Sequence, residues 1–246
     1  MKMHWTTALA GGVIGALLSV CAVFGVASLG YFPPPSDRQF ERYLMAHPSI
    51  VMAMAEKAQT DEAQTSQRQL QAAVDKIGLE TYFNPKIAFV TGPANAKRTL
   101  VEFFDYNCAH CRNSFPLVQK FYNAHKNDTR FAFIELPIFG KESDNAARAA
   151  LAARRQPSRY VGFHFAMMGE AGAIDANAMI DAAQKAVLDI GKLAEDVKDP
   201  ALDKQITASH ALASRTGIDG TPFFILNGKA HEGEVTEADL KMLSKT

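Results

Sequence analysis

Cysteine is scarce in this sequence, with three residues in a chain of 246. A small domain stapled by disulfides needs more cysteines in a shorter chain, so that class of protein is excluded. An excess of charge of either sign is also missing, because 26 basic residues balance 26 acidic ones. This balance gives no indication of a nucleic-acid partner. The 48% of hydrophobic residues predicts a globular protein with one sizeable core.

Charged residues are also absent from a long apolar stretch, residues 8–29. A bilayer crossing needs about 20 apolar residues, so we predict a membrane anchor or signal segment over residues 1–32. The apolar region of a cleaved signal peptide is usually shorter, about 7–15 residues, which favours an anchor that stays uncleaved. Cleavage after Ala27 and lipidation of Cys21 remain alternatives. Lys2 on the cytoplasmic side predicts a periplasmic protein, held in the inner membrane by residues 8–29.

Residues 36–84 have the spacing of helices with one apolar stripe. Ser36 is a predicted N-cap, and Pro48 predicts either two short helices or a kink. Leu70 and Val74 lie four residues apart in a later polar stretch, which predicts a long helix. The stripe needs a partner, either the following domain or another copy of the chain; a flexible stalk is the alternative.

Residues 85–246 alternate between strand and helix patterns. Strands are predicted near 99–104 and 131–136, with a helix over 109–125 between them, which indicates a βαβ unit with parallel strands. Residues 142–215 are predicted to be helical almost throughout. A strand over 223–226 follows, and Asn227-Gly228 then predicts a hairpin turn.

Two of the three cysteines form a C-x-x-C pair, Cys108 and Cys111, at the predicted start of a helix. Unpaired backbone N–H groups and the helix dipole stabilise an anion there, so Cys108 is predicted to be a nucleophilic thiolate. Cys111, one turn into the helix, is the predicted resolving thiol. His110 between them can donate a hydrogen bond to the thiolate, which favours the reduced dithiol and makes the disulfide more oxidising.

Other roles of a C-x-x-C pair fit this sequence less well. A tetrahedral zinc site needs two further ligands at suitable spacing, and the sequence has no second cysteine pair. A disulfide between cysteines three residues apart closes almost no loop and adds little stability. A soft-metal site for copper(I) remains chemically open to an exported dithiol.

Two motifs resemble those of DsbA-like thiol–disulfide oxidoreductases of the thioredoxin superfamily. Residues 102–111 resemble the active-site strand and helix start of that family, and residues 217–225 resemble its loop with a cis-proline. A helical insertion over 142–215 is also typical of it, and residues 40–54 are similar to the N-terminal region of the ScsC-type branch. The resemblance implies an α/β thioredoxin-like fold with a helical insertion, preceded by a membrane helix and a helical segment that forms a homo-oligomer.

The resemblance also implies roles for three further residues. Pro222 matches the cis-proline that faces the active-site disulfide, and the backbone of Thr221 matches the part that pairs with a bound peptide. Glu102 matches a buried acid that exchanges a proton with the resolving thiol; the alternative is a solvated glutamate on an edge strand. Ala109, where many oxidases have proline, and Thr221 resemble isomerases and ScsC-like members more than the simplest oxidases.

The predicted function is therefore an exported thiol–disulfide oxidoreductase that forms or isomerises disulfides in envelope proteins. Its expected partners are unfolded or misoxidised envelope proteins and a membrane protein that resets the site. A reductant of the DsbD or ScsB kind would suit an isomerase, and a DsbB-like protein would suit an oxidase. No organic cofactor is expected. The alternative is a dithiol module that binds copper or mediates envelope assembly without turnover.

Overall fold

The computed structural model describes residues 36–244. The predicted membrane segment, residues 8–29, and Cys21 lie outside the described residues. None of the helices within 36–244 is both long and apolar enough to cross a bilayer. The chain divides into two compact units, one ending at Thr60 and the other beginning at Asp61.

The first unit contains helix α1, Asp37–Ala46, and the beginning of helix α2, Pro48–Ile77. The prediction that Pro48 interrupts the helix is confirmed, since a proline disfavours helical backbone in the residue before it and His47 is accordingly not helical. No residue of α1 is buried, and the rings of Phe40 and Tyr43 are each 53% exposed. The apolar stripe of this segment is therefore open to solvent.

The second unit begins in the later part of α2 and contains a five-stranded sheet with seven more helices among the described residues. A short 3-10 helix, Leu79–Phe83, leads into the sheet. The strands are β1 Phe89–Thr91, β2 Arg98–Phe104, β3 Thr129–Glu135, β4 Phe223–Leu226 and β5 Lys229–Glu232. The helices are α3 Ala109–His125, α4 Lys141–Ala153, α5 Pro157–Met168, α6 Ala176–Lys185, α7 Ile190–Asp196, α8 Ala201–Thr216 and α9 Glu237–Ser244.

The strands lie in the order β1-β3-β2-β4-β5, so β2 is the centre of the sheet. Strands β2 and β3 are parallel and are joined through α3, which confirms the predicted βαβ unit. The other three pairs of neighbouring strands are antiparallel. Six of the seven residues of β2 are buried, as expected for a near-continuous apolar strand covered on both faces.

Helices α4 to α8 form the predicted insertion, and they occupy residues 141–216. The last of them ends at Gly217, whose φ of 84° is the left-handed conformation that favours glycine after a helix. Asn227 and Gly228 both have positive φ, as the tight turn between β4 and β5 requires. The thioredoxin-like α/β fold with a helical insertion is thus confirmed.

The sheet separates two hydrophobic clusters. Alternate side chains of β2 enter opposite clusters: Leu100 and Phe104 pack with α3 and the insertion, whereas Val101 and Phe103 pack with α8 and the end of α2. The later part of α2 also covers the edge strand β5. The Gln71 side chain donates to the Gly228 carbonyl at 2.9 Å and accepts from the Ala230 N–H at 2.9 Å.

Candidate active site

Cys108 is the N-cap residue of α3, directly after the loop that follows the central strand. Its carbonyl accepts the first hydrogen bond of the helix, from the Arg112 N–H at 3.2 Å. The Cys108 side chain is 2% exposed, and Cys111, one turn further on, is completely buried. Both cysteines are free thiols. The two sulfurs therefore occupy different environments although they lie in the same helical turn.

The pKa values of the two thiols are shifted in opposite directions. A hydrogen bond from the Cys111 thiol has the largest effect on the pKa of Cys108 and lowers it. Further hydrogen bonds come from Thr221 and from the backbone N–H groups of Cys111 and His110. Together these contacts outweigh the opposing effect of burial, and the pKa of Cys108 falls to about 5. Burial, followed by the hydrogen bond to Cys108, raises the pKa of the Cys111 thiol far above its usual value. At neutral pH, Cys108 is a thiolate and Cys111 is a protonated thiol.

The loop before Cys108 is fixed by the buried carboxylate of Asp105. One carboxylate oxygen accepts hydrogen bonds from the Asn107 N–H and the Ser143 hydroxyl, both at 2.8 Å. The other accepts from the N–H groups of Ile138 and Phe139, at 2.8 and 3.3 Å. The carboxylate thus joins the end of β2 to the connection between β3 and α4, and it holds the backbone from which Cys108 enters the helix.

Two further contacts attach the active-site turn to the helical insertion. The Arg112 guanidinium donates to the carbonyls of Tyr106, at 2.8 Å, and Gly172, at 2.6 Å. The Asn107 side chain accepts a hydrogen bond from the Ile174 N–H at 3.1 Å. Neither residue is singled out in the sequence, since the partners of Arg112 and Asn107 in the insertion lie 60 and 67 residues away.

The Thr221–Pro222 segment lies against the first cysteine. The Thr221–Pro222 peptide bond is cis. The Cys108 sulfur lies 3.1 Å from the Thr221 carbonyl oxygen, to which it donates when the thiol is protonated. The structure therefore brings Thr221 and Pro222 to the C-x-x-C pair from a strand start more than 100 residues away in sequence.

Glu102 lies in the middle of β2 and is 1% exposed. It points to the same face of the sheet as Leu100 and Phe104, the face that α3 covers. One of its carboxylate oxygens has no hydrogen-bond partner among residues 36–244. Burial raises the pKa of Glu102 to about 8, so the side chain is mostly protonated at neutral pH. Its charge, when it forms, acts on Cys111 and raises that thiol's pKa further.

His110 is held by a residue that the sequence did not indicate, Glu234. The His110 ring nitrogen Nδ1 donates to the Glu234 carboxylate at 2.6 Å. The hydrogen bond to Glu234 is the main cause that raises the pKa of His110, and the charge of Cys108 adds to it. The His110 side chain remains 70% exposed. No sequence signal marks Glu234, which lies in the loop between β5 and α9.

Residues 36–244 contain no cluster of three or more histidine, cysteine or acidic side chains with the geometry of a metal site. Within residues 36–244, the C-x-x-C pair is the candidate copper(I) site that the sequence predicts.

The raised pKa of Glu102 predicts a characteristic dependence of stability on pH. The carboxyl ionises near pH 4.5 in the unfolded chain and near pH 8 in the folded protein, so the folded state binds more protons between these values. The free energy of unfolding should therefore fall as the pH rises from 4.5 to 8, on the order of 3–5 kcal/mol at ~1.4 kcal/mol per pKa unit. Glu102→Gln should remove this contribution.

The measurement is urea unfolding of both proteins at pH 4.5, 6 and 8, with the Cys108–Cys111 disulfide formed so that thiol ionisation does not contribute. The substitution can shift stability by a constant amount, but the difference between the two proteins should change with pH. A difference that stays constant from pH 4.5 to 8 would show that Glu102 ionises normally.

Three solved structures are similar to this chain. A thioredoxin-like oxidoreductase from Silicibacter pomeroyi is 37% identical, and the match covers 67% of this chain and 93% of that one, with a TM-score of 0.60. The thiol-disulfide exchange protein alpha-DsbA2 from Wolbachia pipientis is 25% identical, covers 73% and 94%, and has a TM-score of 0.64. A linker-deletion mutant of Proteus mirabilis ScsC shares the fold at 21% identity, covering 87% and 96% with a TM-score of 0.65.

Two curated relatives match parts of the chain. The Na(+)/H(+) antiporter NhaA of Herminiimonas arsenicoxydans is 28% identical over 155 residues, which are 63% of this chain and 25% of that protein. Disulfide bond formation protein D of Bacillus subtilis is 38% identical over 80 residues, 30% of this chain and 36% of that protein. The chain thus spans about a quarter to a third of the length of these relatives.

The family described as Thioredoxin matches residues 86–245, which include the C-x-x-C pair, the insertion and the cis-proline. The match covers about two thirds of the chain. The chain therefore belongs to the thioredoxin family and has the fold of the DsbA-like and ScsC-type thiol–disulfide oxidoreductases.

Proposed function

We propose that this protein is a thiol–disulfide oxidoreductase of the cell envelope that forms or isomerises disulfides in other proteins through Cys108 and Cys111. One observation carries the proposal: Cys108 is a thiolate at neutral pH and lies beside a buried, protonated Cys111 in the same helical turn. Thiolate is the form that attacks a disulfide, and a buried second thiol can resolve the mixed disulfide without reaching solvent.

In the oxidising direction, a substrate thiolate attacks the sulfur of Cys108 in the Cys108–Cys111 disulfide. The bond between the two cysteines breaks, its electron pair leaves on Cys111, and Cys111 takes up a proton. A second substrate thiolate then attacks the substrate sulfur of the mixed disulfide, and Cys108 leaves as a thiolate. The substrate loses two electrons and gains a disulfide, and the dithiol is reduced.

In isomerisation, the reduced protein begins the reaction. The Cys108 thiolate attacks a non-native disulfide, and one substrate sulfur leaves as a thiolate. That thiolate, or another in the substrate, attacks the mixed disulfide, forms a new disulfide and expels Cys108. No electrons are gained or lost overall. Cys111 resolves complexes in which the substrate thiolate fails to return, at the cost of oxidising the enzyme.

Glu102 is proposed to exchange a proton with Cys111 during these steps. At neutral pH its carboxyl is mostly protonated, and its pKa of about 8 lies close enough to neutrality for the group both to give and to take a proton. Its position on the covered face of β2, with an oxygen that has no partner among the described residues, supports this role. Thr221 and Pro222, which face Cys108, are proposed to hold the substrate peptide against the sulfur.

The direction that we favour is isomerisation, with a DsbD- or ScsB-like membrane reductant as the partner; a DsbB-like partner would make the protein an oxidase. Ala109 between the first cysteine and the histidine, and Thr221 before the cis-proline, support this choice through their likeness to isomerases. The substrates are unfolded or misoxidised envelope proteins. The uncharged stretch over residues 8–29 supports a periplasmic site with an anchor in the inner membrane.

Self-association is the second part of the proposal. Large apolar side chains are exposed along α1 and the beginning of α2: Phe40, Tyr43, Met45, Val51, Met52 and Met54. Exposed apolar side chains on amphipathic helices are typical of surfaces at which helices pair. An isomerase benefits from several active sites in one assembly, since each can act on a different disulfide of the same substrate.

Substitution of the cysteines should separate attack from resolution. In a Cys21→Ala background, Cys108→Ser should lose about a hundredfold or more of its exchange activity with a scrambled substrate, because the attacking sulfur is gone. Cys111→Ser should accumulate a mixed disulfide, since the resolving thiol is gone. Insulin reduction, refolding of scrambled ribonuclease and non-reducing electrophoresis measure these effects. Cys21→Ala alone is the control and should retain activity; a Cys108→Ser protein that remains active would refute the proposal.

The redox state in the cell tests the direction. If the protein is an isomerase, more than half of it should be reduced in growing cells, because only the reduced form begins an isomerisation. Acid quenching followed by alkylation of free thiols with a maleimide reagent resolves the two states by electrophoresis. A population that is mainly oxidised would assign the protein to the oxidases instead.

The oligomeric state tests the apolar stripe. Light scattering of residues 33–246 at micromolar concentration should give a multiple of the monomer mass. Phe40→Asp together with Val51→Asp should restore the monomer, because each buries a charge in the interface. The control is Gln64→Asp, an equally acidic change at an exposed polar position of α2. A monomeric mass for the unsubstituted protein would remove the support for self-association.

A further inference from the structure

The loop between β5 and α9 brings a carboxylate to the active-site histidine. The Glu234 carboxylate oxygen Oε1 lies 2.6 Å from the His110 ring nitrogen Nδ1. The same oxygen accepts a hydrogen bond from the Asn113 side chain at 2.9 Å, one turn further along α3. The carboxylate therefore binds two side chains on the exposed side of the helix that begins at Cys108.

The backbone on both sides of Glu234 is tied to the active site. The Gly233 N–H donates to the carbonyl of Pro222 at 3.0 Å, and the Val235 N–H donates to the Ser114 hydroxyl at 3.3 Å. The carbonyl of Glu234 itself lies 3.0 Å from the His231 ring nitrogen Nε2. Contacts with the cis-proline loop and with α3 thus fix the position from which the carboxylate reaches His110.

Two charged groups act on His110, and a third titratable side chain lies close to one of them. Glu234 faces its Nδ1, the Cys108 thiolate raises its affinity for a proton, and His231 contacts the Glu234 backbone from β5. Asn113, on the same helix, is uncharged. An imidazolium at position 110 stabilises the thiolate of Cys108, and this thiolate exists only in the reduced protein. A protonated His110 therefore favours reduction of the disulfide.

We propose that Glu234 is a positioning residue for the redox reaction: it holds the His110 ring beside Cys108 as an imidazolium and thereby makes the Cys108–Cys111 disulfide more oxidising. This inference rests on the proposed exchange function. Asn113 holds the carboxylate through its hydrogen bond. The backbone hydrogen bonds of the neighbouring residues to Pro222 and Ser114 fix the loop against the cis-proline segment and against α3.

The sign of the effect depends on pH. At pH 7.5, loss of the carboxylate leaves His110 mostly neutral, because the ordinary pKa of histidine is about 6.5. The thiolate then loses its positive neighbour, and the disulfide becomes less oxidising. At pH 5.5, His110 is protonated with or without Glu234, so the same substitution should have no such effect. A substitution at Glu234 that acted through packing alone would change the redox equilibrium equally at pH 5.5 and pH 7.5.

The test measures the redox equilibrium of full-length protein with glutathione, in the Cys21→Ala background, for Glu234→Gln and for Glu237→Gln. Glu237 lies three residues further on and pairs with Lys120 and Lys241 rather than with His110. Glu237→Gln is therefore the matched control, because it removes the same charge without touching His110. We expect Glu234→Gln to lower the equilibrium constant for reduction of the Cys108–Cys111 disulfide by glutathione about threefold at pH 7.5. This change corresponds to about 14 mV in the reduction potential, at 29.6 mV per factor of ten. No decrease is expected at pH 5.5, or for Glu237→Gln at either pH.

A second measurement does not depend on exchange activity. Titration of the His110 ring by NMR should give a higher pKa in the reduced than in the oxidised protein, and a lower pKa in Glu234→Gln in both states. Equal pKa values for His110 in the two redox states would overturn the role of Glu234. So would an equal decrease in the equilibrium constant of the Glu234→Gln protein at pH 5.5 and 7.5. If the unsubstituted protein forms no equilibrium with glutathione, the proposed exchange function fails, and the NMR titration still decides the coupling.

Discussion

The geometry of the active site depends on the four hydrogen bonds that the buried Asp105 carboxylate accepts. They come from the turn after β2, from the connection after β3 and from the start of the insertion. A buried carboxylate without such donors is costly, so these segments are held together as a unit. Cys108 enters α3 from this turn, with its own N–H bound to the Asp105 carbonyl. The helix N-terminus therefore lies where its N–H groups reach the sulfur.

Glu102 shows what happens to a similar group without those donors. It is buried as deeply as Asp105 and lies three residues before it in the sequence. One of its oxygens has no partner among residues 36–244, and its pKa rises to about 8. Burial is common to both side chains, so it is the missing donors that set Glu102 apart from Asp105.

Local patterns in the sequence account for much of the fold. Two apolar strand patterns with a helix pattern between them predicted the β2–α3–β3 unit, and the bounds of α3 and β4 agree with the predicted 109–125 and 223–226. The parallel pairing of β2 and β3 followed from the crossover rule. What escaped prediction depends on contacts between distant segments. Glu234 is 124 residues from His110, and nothing in its immediate surroundings differs from an ordinary charged loop.

The same contact that activates one thiol also restrains the other. The hydrogen bond between the cysteines lowers the pKa of Cys108 and raises that of Cys111, so the resolving thiol stays inactive while Cys108 is free. Once Cys108 is bonded to a substrate sulfur, its negative charge is gone, and both its charge and its hydrogen bond cease to oppose ionisation of Cys111. Burial and the charge of an ionised Glu102 then still favour the protonated thiol, and in the proposed reaction this ionised carboxylate takes up the proton of Cys111. In the proposed reaction, resolution is therefore coupled to substrate capture by the electrostatics of a single helical turn.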